Sequence, residues 1–345
     1  MTETPSRPRR LVVDGLTMPT MDRKWFEEWR EARLGCVNMT VAVWENAHET
    51  LNLLARWREV IRANADLVEG AQSVADIRRI AASGRTAIVF GFQNTAPVEH
   101  NLDLFGTFRG LGVGVMQLTY NLQNYIGCGY WEEKDTGISS RFGRKAIQEM
   151  NDVGILIDLS HCGERTTLEA IELSAKPVAI THANPREFVG SPVYGASRLK
   201  TTEALKALAQ RGGVLGLTPN RNMTRHGAAT TLEQFGDMVC WTVDQLGIAA
   251  VALGTDYCPG HPREVRTWWR YARWSRESAP AEQMKVAPHE GWPSWMSTQA
   301  GVHNVANELA RRGFDSDALD KIMGGNWLRV FEAAFQTATA ATTKE

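Results

Sequence analysis

Cysteine is scarce and follows no framework: Cys36, Cys128, Cys162, Cys240 and Cys258 are spread over 345 residues at irregular spacing, with no CxxC pair. An odd, scattered set excludes a disulfide scaffold and fits a reduced, cytoplasmic protein. Charge of one sign is missing too. With 38 Lys+Arg against 39 Asp+Glu, the formal charge is −1, so neither nucleic acid nor an acidic membrane surface is expected as a partner. No run reaches the roughly 18 apolar residues that a spanning helix needs. The opening MTETPSRPRR has no apolar core behind it, and the closing FQTATAATTKE is too polar for an anchor-attachment signal. A globular chain without a membrane partner is expected. Its 43% hydrophobic content suffices for a large core.

What is present is a rhythm. Short runs rich in Val, Ile, Leu and Ala fall at 11–15, 36–42, 86–92, 113–120, 155–160, 178–182, 213–218 and 249–255, as buried parallel strands do. Between them lie amphipathic stretches at 48–69, 73–83, 99–110, 140–153, 164–174, 201–211 and 231–246. Several end at a glycine placed for a left-handed helix cap: Gly84, Gly112, Gly154 and Gly247. Eight strand–helix units predict an α/β fold of the (β/α)8 barrel type, one domain spanning 1–345. A doubly wound open sheet is the competitor, but no GxGxxG follows the first strand. The segment 259–295, with Trp268, Trp269, Trp274, Trp292 and Trp295, has no clean period. It is expected as an aromatic-rich loop after the eighth strand, either a lid over the site or an excursion packed on the barrel. As a lid it could also select an apolar or quaternary-ammonium group by cation–π contact. C-terminal helices are expected over 297–338.

Barrel chemistry gathers where strands finish. The fifth strand ends at His161, the sixth at His182 and the eighth at Asp256. Two imidazoles and a carboxylate from separate strand ends can bind a divalent metal, or hold a water for deprotonation. Taken singly, a histidine is more often structural than a ligand. Cys128, Cys162 and Cys258 lie close to the same ends, where a thiolate could act but buried thiols are usually inert packing. His261 and His303 can also approach.

The ordered runs IDLSH (157–161), ITHAN (180–184), SRLKTTEALKALAQRGGVLGL (197–217), LGTD (253–256) and GGNWLRVF (324–331) resemble the membrane (renal) dipeptidase family, peptidase family M19 of the amidohydrolase superfamily. The resemblance implies a (β/α)8 barrel with two zinc ions bridged by a hydroxide that attacks a dipeptide. It implies second-zinc ligands at His161 and His182. Asp256 is then the aspartate that handles the proton of the attacking water, and Arg198 the arginine that binds the substrate carboxylate. Homodimers are common in the family, and the sequence does not decide the point.

The chain also departs from the family. Where the family has Asp-Gly-His-x-Asp after the first strand, this chain reads Asp14-Gly15-Leu16-Thr17-Met18. Leucine has no lone pair, and a thioether is a poor zinc ligand. Gln93 stands where the family's bridging glutamate falls; a neutral amide can coordinate one ion but cannot bridge two. The expected cofactor is therefore one zinc at most, on His161 and His182 with help from Gln93, Asp256 or water. Tyr120 replaces the histidine that steadies the tetrahedral intermediate, and a phenol can still donate to an oxyanion; as a plain barrel-mouth aromatic it would do nothing more. Two functions are weighed on this footing. One is a dipeptidase-like hydrolase acting on a small carboxylate-bearing amide with a mononuclear or vacant centre. The other is a metal-free lyase, isomerase or carboxylate-binding pseudo-enzyme on the same barrel.

Overall fold

The computed structural model describes residues 10–138, 140–190, 196–271 and 292–337; Trp274 and most of the tryptophan-rich segment lie outside them. Nine parallel strands form one sheet. They are β1 (Val13–Thr17), β2 (Cys36–Ala42), β3 (Val68–Gly70), β4 (Thr86–Phe92), β5 (Val113–Gln117), β6 (Leu156–Asp158), β7 (Ala179–Ile180), β8 (Val214–Leu217) and β9 (Val251–Leu253). Eight of them follow one another as β1-β2-β4-β5-β6-β7-β8-β9 to make the wall, and β3 pairs outside it on β4. The wall closes where β9 meets β1: the Met18 amide donates to the Tyr257 carbonyl at 2.9 Å and the Asp256 amide to the Leu16 carbonyl at 3.0 Å. The (β/α)8 barrel read from the sequence is the observed fold.

Alternation along the strands sorts two cores. Val37, Met39 and Val41 of β2, with Ile88, Phe90 and Phe92 of β4, pack outward against the helices. Cys36, Ala87, Val89, Val115, Leu156, Val214 and Ala252 share an inner cluster with Trp327 and Phe331 of the last helix, Asn326–Phe335. Trp327 is driven up to the wall, its indole N–H donating to the Leu253 carbonyl at 2.9 Å. Burial of such large aromatics contributes a few kcal/mol each, of order 25 cal/mol per Å² removed from water. The lower barrel is therefore filled with apolar side chains. Polar ones occupy the upper layers: Asn38, Thr40, Gln93, Gln117 and Asp158 are all buried.

Three sequence expectations need correction. The helix expected over 48–69 stops earlier, as Ala47–Ala63, and part of its tail is the strand β3. A helix not foreseen, Arg23–Glu31, is capped by Asp22 and buries Phe26 and Trp29. The segment after β9 is not wholly aperiodic, because Arg263–Tyr271 is helical. Gly84, Gly112, Gly154 and Gly247 all take positive φ, as expected of helix ends. No described helix is long and apolar enough to cross a membrane.

Candidate active site

At the C-terminal end of the wall lies a cavity of about 220 Å³, lined among others by Tyr120, Tyr130, His161, Arg198, Asn220, Asp256, Trp269 and Trp292. Each comes from the chain just past a strand, or from a loop above one. His161 and His182 follow β6 and β7, neighbours in the wall, and their Nε2 atoms lie 2.9 Å apart. The outer nitrogens are both engaged. Asn121 donates its Nδ2 to the Arg270 carbonyl (3.0 Å), which turns its Oδ1 toward His161 Nδ1 at 2.7 Å, and that nitrogen therefore carries the proton. His182 Nδ1 faces Thr181 Oγ1 at 2.9 Å. At 2.9 Å the two Nε2 atoms are at hydrogen-bonding distance, one donating to the other. Burial, and then the nearby Arg198 charge, hold both imidazoles well below the usual histidine range. Neutral rings with braced outer nitrogens suit metal ligation.

Two buried carboxylates hold the strand ends in place by one pattern. Asp158 Oδ1 accepts from the Ser160 amide (3.0 Å) and the Thr181 amide (2.9 Å), and its Oδ2 accepts from Thr181 Oγ1 (2.7 Å). Asp14 Oδ1 likewise accepts from the Leu16 amide (3.2 Å) and the Thr255 amide (2.8 Å), and its Oδ2 from Thr255 Oγ1 (2.6 Å). In each case the clamped threonine immediately precedes a site residue, His182 or Asp256. Desolvation raises both aspartates above the ordinary carboxyl range.

Asp256 has φ +56°, a left-handed conformation that few non-glycine residues adopt. Asn220 donates to its Oδ2 at 2.7 Å. Burial pushes its pKa up to about 6, against the pull of Arg198. Tyr120 stacks on His161 with ring centroids 4.1 Å apart. Burial and the Asp256 charge raise its phenol, which stays a proton donor. Arg198 is buried, donating to the carbonyls of Ser160 (2.6 Å) and His182 (3.0 Å). It makes no ion pair among the described residues, and its charge acts across the cavity on the Asp256 carboxylate.

Gln93 does not line the cavity: its amide nitrogen donates to Thr40 Oγ1 at 3.0 Å and approaches Met18 Sδ at 3.8 Å. Cys162, pushed to about 11, and Cys258, pushed higher, are thiols by virtue of burial. His261 donates to the Met18 carbonyl and His303 to the Ala32 carbonyl, and neither lines the cavity. The sequence reading missed Asn121, Tyr130 and Asn220. Asn220 lies only two residues past the end of the expected strand 213–218, so scanning slightly beyond strand ends would have found it.

Met18, which stands where the resemblance implies a first-zinc ligand, lies among apolar side chains. Met18 packs with Val43 and Trp269 in a buried cluster flanked by Trp44 and Tyr120, and Trp44 Nε1 donates to the Trp269 carbonyl at 2.7 Å. Among the described residues no three His, Cys, Asp or Glu side chains group closely enough to hold a metal ion. The residues present do not fit a two-ion centre. They offer one seat with two nitrogens, which water or a ligand would have to complete.

Residues 23–274 match the model of the membrane dipeptidase family, peptidase family M19. Dipeptidase tcpJ of Claviceps purpurea is 24% identical over 297 residues, covering 85% of this chain and 60% of that protein. Dipeptidase verJ of Clonostachys rogersoniana is 25% identical over 217 residues, 63% and 54% respectively. The chain thus spans little more than half the length of these relatives. Among solved structures, an amidohydrolase from Pseudomonas aeruginosa superposes with TM-score 0.85 at 33% identity over 94% of this chain and 97% of that one. A metallo peptidase from Rhodobacter sphaeroides, liganded with a phosphinate mimic of the dipeptide L-Ala-D-Ala, shares the fold at TM-score 0.76 and 16% identity, covering 94% and 100%.

Proposed function

Because this chain belongs to the membrane dipeptidase family, peptidase family M19, we propose that it hydrolyses a small amide or dipeptide bearing a free carboxylate, in a centre that holds one metal ion at most. The observation that carries this reading is the buried, unpaired guanidinium of Arg198 on the same cavity wall as Asp256, Tyr120 and His161. A buried cation with no anion in direct contact is costly, and a substrate carboxylate compensates it with charge-assisted hydrogen bonds.

The roles follow from position. Arg198 orients the substrate through its carboxylate. Asp256, steered by Asn220, accepts the proton of the attacking water. The Tyr120 phenol donates to the oxygen that becomes negative. Tyr130, Trp269 and Trp292 exclude water from the apolar side of the substrate. A single divalent cation on the Nε2 atoms of His161 and His182 would supply electrostatic polarisation and acidify water. A second reading rests on the 2.9 Å contact between those atoms, which is complete as a hydrogen bond: acid–base lyase or isomerase chemistry by the imidazoles and Asp256 without an ion.

Elemental analysis and turnover of dipeptides and N-acyl amino acids, with and without a chelator, separate the two. About one zinc per chain with chelator-sensitive hydrolysis supports the hydrolase. Two tightly held ions per chain would refute the limit of one ion, and chelator-resistant conversion of a small carboxylate would favour the second reading. Introducing Leu16→His, Met18→Asp and Gln93→Glu together should raise the metal content toward two.

A further inference from the structure

We propose that a cleft at the opposite end of the barrel, where β1, β2 and β4 begin, is a second binding site, for a small molecule carrying two or more phosphate groups. The cleft encloses about 480 Å³, roughly twice the catalytic cavity and within the range of small-molecule sites. Five of its eleven lining residues are arginine, Arg10, Arg30, Arg33, Arg78 and Arg85, and none is acidic. Such a concentration is unexpected on a chain of formal charge −1.

The charge balance decides between a solvated patch and a site. Arg10 is paired with Asp320 and Arg85 with Glu69, each at 2.6 Å. The side chains of Arg30, Arg33 and Arg78 make no ion pair or hydrogen bond among the described residues. The nearby carboxylate of Asp66 is already held by both terminal nitrogens of Arg23, at 3.0 and 2.6 Å. Two helices, Arg23–Glu31 and Val74–Ala82, end at the cleft. Their C-terminal dipoles offset about half a charge each. About two positive charges are left over, which a diphosphate or triphosphate matches and a single carboxylate does not.

Backbone strain adds an independent sign. The turn after the helix Val74–Ala82 uses glycine, Gly84, for its left-handed residue (φ +80°), whereas the turn after Arg23–Glu31 uses Arg33 (φ +53°). A side chain there costs about 1 kcal/mol that glycine would not, and the strain sets a guanidinium on the rim. Leu11, half-buried, lines the same cleft and offers an apolar contact for a base or similar flat group.

Calorimetric titration with inorganic tripolyphosphate and with ATP tests the site without reference to catalysis. Either probe should bind, more weakly as salt rises, and Arg30→Ala, Arg33→Ala and Arg78→Ala should each weaken binding about tenfold. These residues are exposed, so the fold is retained, which circular dichroism checks. Arg144→Ala, an exposed position outside the cleft, should change nothing. Tighter binding of ATP than of tripolyphosphate would support a base on Leu11. No binding of either probe below about 1 mM, or equal losses in Arg144→Ala, would overturn the proposal. So would full affinity in the triple variant, the result expected if the probe entered the cavity beside Arg198 instead.

Discussion

Replacing Asp14 should separate the worth of a single lost acceptor from that of a whole buried network. The Asp14 carboxylate, 1% exposed, accepts from the Leu16 and Thr255 amides, from Thr255 Oγ1, and from Gln299 Nε2 at 2.5 Å. In Asp14→Asn the retained oxygen still serves both backbone amides, and the Thr255 hydroxyl can turn to accept from the new NH2. Gln299 cannot turn, because its Oε1 accepts from the Trp29 indole at 2.6 Å. One buried donor is therefore stranded, for about 1–3 kcal/mol. In Asp14→Ala all four donors are stranded, for at least about 4 kcal/mol on the same scale, a large part of the 5–15 kcal/mol that holds a typical domain together. Thermal unfolding should show a drop of a few degrees for the asparagine variant and roughly four times as much, or failure to fold, for alanine. Equal losses, or an asparagine variant more stable than the parent, would refute the hydrogen-bond account and leave relief of a buried charge as the dominant effect.

The pH profile follows from Asp256. Its carboxyl is raised to about 6 by burial, and the base is needed ionised, so kcat/KM should be level above about pH 6 and fall about tenfold per unit below it. An acid limb centred near the ordinary carboxyl value of 3.8 would remove Asp256 from that role. The same shift makes its ionisation oppose folding: the stability it contributes is complete below 3.8 and lost as pH rises through about 6. Gly254→Ala should lower the melting temperature sharply, because an added Cβ would lie 1.7 Å from the Thr181 carbonyl oxygen and overpacking against backbone costs about 1–3 kcal/mol or more. Gly70→Ala, with nothing within 4 Å of the added carbon, is the matched control, and equal melting of the two variants would contradict the packing described at β7–β9.

The wall strands were legible because a strand buried on both faces writes itself as an apolar run, as in ILIDLS and TAIVFGF. The strand β3 was not, because its three residues follow a long amphipathic helix without a break in composition. The helix Arg23–Glu31 hid behind its charge, although Phe26 and Trp29 stand at helical spacing after the capping Asp22. In the site, His161, Arg198 and Asp256 could be found by combining strand ends with chemistry and family motif. Asn121 could not, since an amide in a loop leaves no periodic trace and acts here by orienting a neighbour, and Asn220, which steers Asp256, needed the scan to run two residues past its strand. Gln93 was expected to face an ion. The sequence could not reveal that Thr40, on the adjacent strand, takes its amide hydrogen.

Thioether and indole rings pack together at the barrel mouth around Met18, Trp44 and Trp269, where the proposed reading places no first ion, and that bears on how the molecule is assembled. In an enzyme whose barrel mouth is knit by cations, maturation waits on metallation and starvation for zinc leaves unfinished protein. On the proposed reading the mouth is completed by the chain's own carbon and sulfur, so the protein should reach its final shape whatever the supply of ions. Loading of a two-imidazole seat would then be a later, reversible event.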